Sequence, residues 1–556
     1  MSITNFDSVF EFVGGFGPYQ MILFAVECIT CLFFTFVYCG QIFMTLTPPH
    51  WCRTPADLDL NLTIDLNLTQ DEVKELTIPR DETTGKYLQC VMYDVDFSEI
   101  VMNNSSWPNS SWPTTSCTNG WTYDYSLYYP TITSQLDWVC DDDWRPTVCQ
   151  SVFFLGSLLI TPFFGWAADK WGRLPIIVFT NVLGGVAGVI SAFCTSFVTF
   201  AVSRFIVGMT FDTQFMVTFV LLLEYVSSEY RTVVSHIPVA FFLTLSMAAI
   251  PWLALAIADW STFAVIIHAP QLISIIFIWL LPESARWLIN QGRIKDTLKI
   301  LQRVAKLNKK TLSPEFIEDF NVYGASQQTK EGEANTIDLL KTPVLRQRLV
   351  ILCICWMVCA LAYDGHMRNT QNIGNNTFVS FSLGGLVEVP ADLLTIMLLE
   401  KIGRRYSTVL SLILGGLASC VIATIPEANT AGVVGVAMVG RFLITIAMNS
   451  GQQYPVEVLP TVARGSGVST IHTLGFLTFF ASPYVVYLAK YGYYLPYVIL
   501  GIVSVAGGLV CIVLPETLDQ ILPDTLEDGE TFLTNQSLCY NPCARKRSES
   551  KEILSK

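Results

Sequence analysis

Twelve apolar runs, each long enough to cross a hydrocarbon core, alternate along the chain with polar segments and predict twelve membrane-spanning helices. The expected spans are 19–46, 146–168, 174–194, 197–225, 233–257, 260–281, 347–368, 377–399, 406–425, 430–452, 466–489 and 493–514. Two polar segments are far longer than the rest, 47–145 after span 1 and 282–346 after span 6. The pattern thus predicts an all-α membrane protein. It consists of an N-terminal segment (1–18), a six-helix half (19–281) carrying the loop 47–145, a central loop (282–346), a second six-helix half (347–514) and a tail (515–556). The first twenty residues lack a basic stretch before an apolar core, so span 1 is expected to serve as its own insertion signal.

Composition agrees with this pattern: 52% of residues are hydrophobic and 14% charged, against about 25% charged in soluble domains. The formal charge of −13 says less than its distribution. The first loop holds five Lys/Arg against sixteen Asp/Glu, and the central loop eleven against eight. Short loops carry Lys170, Arg173, Arg231, Lys401, Arg404, Arg405 and Arg464. Because Lys and Arg are retained in the cytosol, these loops and both termini are expected there, in a multi-pass plasma-membrane protein. Glycosylation sequons at Asn61, Asn67, Asn103, Asn104, Asn109 and Asn375 then fall outside, while Asn535 falls inside and is expected to be silent. Cys52, Cys90, Cys117 and Cys140 share the first loop and predict two disulfides, with three connectivities open.

The two halves repeat one another. Asp169-Lys-Trp-Gly172-Arg173 follows span 2, as Glu400-Lys-Ile-Gly403-Arg404-Arg405 follows span 8. Glu224 stands seven residues before Arg231 after span 4, and Glu457 seven before Arg464 after span 10. Pro282-Glu283-Ser284 ends span 6, and Pro515-Glu516-Thr517 ends span 12. Three motifs in one order, offset by 231 to 233 residues, imply halves of like orientation related by an axis along the membrane normal. Each motif sets an acid where it can meet a helix N-terminus or an arginine of the next loop, which suits an ionic latch that opens as the halves rock. The expected latch residues are Asp169, Arg173, Glu224, Arg231, Glu400, Arg404, Glu457 and Arg464.

The run Gly165 to Pro175 resembles the signature loop of the major facilitator superfamily. More narrowly, the chain resembles the organic cation, anion and zwitterion (carnitine) transporters. That resemblance covers nearly the whole chain: Asp143-Trp144-Arg145-Pro146-Thr147, Pro282-Glu283-Ser284-Ala285-Arg286-Trp287-Leu288, Val387-Glu388-Val389-Pro390, Gly403-Arg404-Arg405-Tyr406, and Tyr454-Pro455 with Arg464. It implies the major facilitator fold and a central cavity open alternately to either side. It also implies cavity roles for Trp356, Tyr363, Phe215 and Asn449, with Asp212 where many cation carriers have lysine. Two departures weaken a plain cation or anion assignment. Phe476 replaces the charged residue of span 11, one turn after His472, and Cys359 replaces an aspartate in span 7. The span 11 sequence is most similar to invertebrate carcinine and beta-alanine carriers.

Ionisable groups inside the spans each cost roughly 2.5–3.5 kcal/mol to insert, which makes them candidates for substrate, coupling or latch work. Acids Glu27, Asp212, Glu388 and Asp392 outnumber bases Arg204 and Arg441. Glu388 and Asp392 are one helical turn apart, and Glu388 is expected to pair with Arg441. Asp212 either meets substrate or pairs with Arg204. His472 is either a packed imidazole or a contact to substrate or proton. Trp356 and Tyr363 share a face and can hold an ammonium by cation–π attraction.

No phosphate-binding loop or metal-ligand spacing is present, so neither an enzyme nor an ATP pump is expected, no metal or other cofactor is implied, and sodium or proton coupling is left open. Basic stretches 293–310 and Arg545-Lys546-Arg547 are expected near anionic lipid, not nucleic acid. The expected partners are the bilayer and a small amine or zwitterion. Transport of organic anions, and a transporter-like sensor or adhesion role, are the alternatives.

Overall fold

The computed structural model describes residues 6–55, 68–81, 85–95, 111–327, 336–374, 376–518, 520, 522–534 and 536, with Ser228, Thr232 and His236 through their backbone alone. Eleven of its helices are long and apolar enough to cross a membrane. They are Pro18–Met44, Cys140–Trp171, Arg173–Ser191, Phe197–Leu223, Glu229–Ile257, Trp260–Leu280, Pro343–Asn372, Thr377–Lys401, Arg404–Thr424, Thr430–Val458 and Thr461–Lys490. The shorter apolar helix Leu495–Cys511 completes twelve spans.

A bilayer offers no water to backbone groups, so each span satisfies them within its own helix. Polar residues start several spans: Ser196 caps span 4, Asn376 span 8 and Asn429 span 10 through side-chain oxygens that accept from the first-turn N–H groups. Prolines interrupt the ladder inside spans 2, 5, 10 and 11 at Pro162, Pro251, Pro455 and Pro483. In span 5 a π-helical segment, Pro238–Leu243, begins at a residue with no N–H to give. Corresponding spans pack alike: span 3 lies on span 4 as span 9 lies on span 10.

The molecule divides into two compact units, and both helix halves belong to the first except for one end of spans 1, 2, 5 and 6. At the terminal end of the bundle, where helix Pro18–Met44 begins, residues Phe6–Val13 pack Phe6, Val9, Phe10 and Val13 into a cluster with Leu301, Val304 and Ala305. Those three lie on helix Ile294–Leu307 of the central loop. Its apolar face is therefore covered by protein. Asn308 ties the arrangement together, accepting from the Tyr19 N–H at 3.0 Å and donating to the Val13 carbonyl at 3.0 Å. The other basic stretch, Arg545 to Arg547, lies outside the described residues.

The second unit comprises Ile42–Pro146 with Ala254–Phe263. It holds two short antiparallel pairs, β1 (His50–Cys52) with β4 (Trp121–Tyr123) and β2 (Val91–Tyr93) with β3 (Thr114–Ser116). Of the three connectivities left open, the structure has Cys52–Cys117 and Cys90–Cys140. So small a core (Val73, Leu76 and Tyr93 at its centre) needs such staples. Lys74 adds a cation–π clamp, its Nζ 3.3 Å from the Trp51 ring centroid. All seven sequon asparagines, Asn61, Asn67, Asn103, Asn104, Asn109, Asn375 and Asn535, lie outside the described residues.

Candidate functional site

The repeated motifs build two matching networks at the terminal end of the bundle. Glu283 closes span 6 by turning its carboxylate onto the start of span 3, accepting from the N–H groups of Arg173 at 2.9 Å and Leu174 at 3.2 Å. Glu516 does the same for span 9, accepting from Arg404 at 2.9 Å and Arg405 at 3.1 Å. Anionic caps suit these helix N-termini, where free N–H groups and the macrodipole converge. Each cap needs the preceding glycine. Gly172 and Gly403 have φ of +107° and +94°, and a Cβ there would stand 2.3 and 2.4 Å from the carboxylate. Burial pushes the carboxyls of Glu283 and Glu224 above their ordinary range, against the lowering effect of their N–H and arginine partners.

Arginines follow the same plan with different partners. Arg404 pairs with Glu457 at 2.9 Å, and the Thr517 hydroxyl donates to the other Glu457 oxygen at 2.6 Å. Arg173 divides itself between Asp169 at 3.1 Å and Glu224 at 3.4 Å. Glu224 and Arg231, seven apart in the motif, take different partners: Arg231 reaches Asp7 at 2.6 Å, and Arg286 shares that carboxylate at 2.5 Å. Glu400 lies exposed while Arg404 turns away to Glu457, and Arg464 donates to the Leu459 carbonyl at 3.3 Å. Both networks close within their own half, so in this conformation they brace each half rather than lock the two together.

Deeper in the bundle, Glu388 and Arg441 form a buried ion pair, with the Arg441 guanidinium 5.3 Å from the Tyr363 ring and the Tyr363 hydroxyl donating to Glu388. Asp392, one turn on, is half-buried and accepts from Asn449 Nδ2 at 2.6 Å. Trp356 stacks near His472, ring centroids 4.4 Å apart, and its Nε1 finds no acceptor among the described residues. Phe476 lies 5.9 Å from Phe479. In the other half Phe215 meets Phe34 at 4.7 Å, and Phe34 stacks on Phe211 at 4.3 Å. Asp212 is half-buried and does not pair with Arg204. Arg204 is fully buried and donates instead to Ser191 Oγ at 2.7 Å beside His268, so the proposed Asp212–Arg204 pair is corrected. Glu27 is also fully buried, with the Cys31 thiol at 3.8 Å as its neighbour.

Asp364 and Arg368 belong among the intramembrane charges and were missing from the sequence-based set, because both sit where span 7 was expected to end. They form a pair at 2.7 Å, less than 2% exposed. Adding them makes five acids and three bases and leaves the acid excess at two. An acid and a base four apart in an apolar run was the signal available. A separate groove of about 680 Å³ on spans 2, 3 and 4, lined by Ile160, Phe164, Ile176 and Met209 among others, is wholly apolar and holds none of these charges.

The sugar (and other) transporter family model matches residues 93–525. Solute carrier family 22 member 3 of Mus musculus is 33% identical over 98% of both chains. The organic cation transporter protein of Drosophila melanogaster is 30% identical over 95% of both, and that organism's carcinine transporter is 30% identical over 99% of this chain and 82% of its own. Among solved structures, the E. coli xylose transporter XylE in a partially occluded inward-open conformation superposes with a TM-score of 0.56 at 14% identity. The superposition covers 91% of this chain and all of that one, a likeness of fold alone. Twelve apolar spans in two repeated halves, with these relatives, make the chain a multi-pass transporter and not an enzyme: it belongs to the sugar (and other) transporter family of the major facilitator superfamily, among the organic cation and carnitine transporters of solute carrier family 22.

Proposed function

We propose that the protein is a plasma-membrane carrier of small organic cations and zwitterions, of carcinine-like, beta-alanine-like or carnitine-like chemistry, working by alternating access. The observation that carries this reading is unbalanced acid. Glu388 and Asp364 each have an arginine, whereas Glu27, Asp212 and Asp392 have no basic partner among the described residues. A carboxylate held in a low-dielectric span favours an arriving ammonium strongly. Asp212, and Asp392 with Asn449, supply the counter-charge. Phe215, Trp356, Tyr363 and Phe476 supply rings, each worth about 0.5–2 kcal/mol to a desolvated cation. His472 orders Trp356. Burial of Arg204 against Ser191 and His268, with Arg441 held by Glu388, weighs against the organic-anion alternative.

The end of the bundle leading into 47–145 faces outside in this reading, with both termini cytosolic. Support comes from the basic short loops of the opposite end and from the disulfides, which persist in an oxidising compartment. The terminal-end networks then act as cytosolic braces that let each half rock as a rigid body.

Uptake of labelled amines, amino-acid derivatives and organic anions by cells expressing the chain tests the reading. Asp212→Asn is expected to raise the half-saturating amine concentration about tenfold, the equivalent of about 1.4 kcal/mol. Phe215→Ala should cost less, and Asp212→Lys should abolish amine uptake. Unchanged amine affinity in a well-expressed Asp212→Asn carrier would sink the role given to this residue.

A further inference from the structure

Spans 2 and 4 touch backbone to backbone at two glycines. A Cβ on Gly156 would collide with the Phe205 carbonyl, and one on Gly208 with that of Phe153. Helices that cross in such close contact part on either side of it. Toward the turn between spans 2 and 3, the apolar groove of about 680 Å³ opens between them. Ile160 and Phe164 of span 2, Met209 of span 4, and Ile176 and Leu183 of span 3 form its walls. Phe163, Trp171 and Phe179 also line it and are each about half exposed. From Ile160 to Trp171 span 2 advances eleven residues. At about 1.5 Å per residue that is about 16 Å, about half of a hydrocarbon core of about 30 Å. The groove is thus as long as one leaflet is thick. Its rim carries a cation. Trp166 lies 5.8 Å from both Trp171 and Phe163, ring centroid to centroid, and Lys170 Nζ lies 4.8 Å from the Trp166 ring. The neighbouring acid, Asp169, is taken by Arg173 at 3.1 Å. Lys170 is exposed and has no carboxylate partner among the described residues.

We propose that this groove is a docking site for an anionic phospholipid, with one acyl chain between spans 2, 3 and 4 and the headgroup at Lys170. Exposed apolar rings on membrane-spanning helices face hydrocarbon, so the groove is continuous with the surface that lipid already covers. Association inside a bilayer is driven by packing, and walls that lack partner atoms gain contacts when a chain fills the space between them. A lysine with its stem along rings and its charge at the end of a span stands at headgroup level, where tryptophans also gather. That charge selects a negative headgroup over a zwitterionic one. All the walls belong to one half, so the bound lipid moves with it. The turn beside the rim also carries the Glu283 cap, which accepts from the Arg173 N–H at 2.9 Å. The lipid therefore braces from the membrane side a turn that the cap holds from within. The inference goes beyond the carrier reading and uses no property of its substrate; the orientation of the chain decides only which leaflet supplies the lipid.

The test uses the purified full chain in phosphatidylcholine vesicles that hold a trace of lipid with a photoreactive diazirine on its acyl chain. The probe is either a phosphatidylserine or a phosphatidylcholine, and the labelled residues are identified by peptide mass spectrometry. Labelling of Ile160, Phe164 and Met209 is expected to be about fivefold higher with the serine headgroup, the preference one basic residue gives for anionic lipid. Ile502 of span 12, also exposed, is the reference and should label equally with both probes. Lys170→Glu should lower groove labelling by the serine probe to the phosphatidylcholine level, and Lys170→Arg should keep the preference. Met209→Trp fills the groove and should reduce labelling of Ile160 and Phe164 by both probes. Lys170 is exposed, so its variants decide the matter even where Met209→Trp does not fold. Equal groove labelling by the two headgroups, or a preference that survives Lys170→Glu, overturns the proposal. Displacement of the serine probe by unlabelled cholesterol but not by unlabelled phosphatidylserine also overturns it and assigns the groove to a sterol. Vesicles carry the probe in both leaflets, so the result does not depend on orientation. Failure of the amine-carrier reading would show separately, as absent amine uptake, and leaves this measurement readable.

Discussion

The two halves share motifs but hold their charge differently. In the C-terminal half the two deepest arginines each have an acid: Arg441 with Glu388, and Arg368 with Asp364. In the N-terminal half Glu27 and Asp212 have no base, and Arg204 is held by a hydroxyl and an imidazole. The terminal-end networks show the same bias. Arg404 meets Glu457 at 2.9 Å with Thr517 and Gln453 also bonded to that carboxylate, whereas Arg173 is divided between two acids at 3.1 and 3.4 Å. Sequence repetition therefore conserves the scaffold, not the pairing of charge. Each half is left one acid in excess, but the C-terminal half pairs its arginines and leaves Asp392 over, whereas the N-terminal half pairs none and leaves both Glu27 and Asp212 without a base.

The sharpest way to break this contrast is to remove one partner in each half. Arg441→Gln leaves Glu388 buried and unpaired and is expected to cost about 3–5 kcal/mol, read as lost surface expression and a lower melting temperature. Adding Glu388→Gln to it should restore much of the loss. Glu27→Gln in the other half removes a carboxylate that has no base, so the melting temperature should hold or rise. A fall comparable to that of Arg441→Gln would show that Glu27 has a partner and dissolve the comparison.

Where the halves agree, matched variants should agree too. Gly172→Ala and Gly403→Ala each drive a Cβ into the capping carboxylate at a positive φ. Each is expected to cost about 1–3 kcal/mol, with similar drops in melting temperature. A large disparity would mean that the two caps are not equivalent.

The smallest expected effect concerns pH. Burial holds Glu283 and Glu224 above their ordinary carboxyl range, so the folded chain binds these protons more tightly than the unfolded chain, whose value is near 4.5. Between the unfolded and folded values their contribution to stability is present at the lower pH and is lost as pH rises through the folded values. The wild-type melting temperature should show that component on titration from pH 4.5 toward neutrality, and Glu283→Gln should flatten it. An identical slope in the variant would remove Glu283 as its source.

Much of the scaffold was legible because a bilayer imposes it. Only helices satisfy their own backbone in lipid, so twelve apolar runs translate almost directly into twelve spans, and a repeat of Gly-Arg and Pro-Glu motifs marks where they turn. The Glu388–Arg441 pair could also be anticipated, since a buried base needs an acid and span 8 offered one. Pairings among several candidates of like charge could not. Nothing in the order of residues distinguishes Glu224 from Asp7 as the partner of Arg231, because Asp7 lies 224 positions away and is brought there by the packing of Phe6 and Phe10 against the central-loop helix. The same holds for the surroundings of Arg368. Its acid is local, four residues away, but the rings and amide beside it come from spans 1 and 2. Hydropathy and motif spacing by themselves determined the spans and the repeat, and the resemblance of the motifs pointed to the family. Only the tertiary structure decided which charges are neutralised, since pairing is set by distances of a few ångströms between helices remote in the chain.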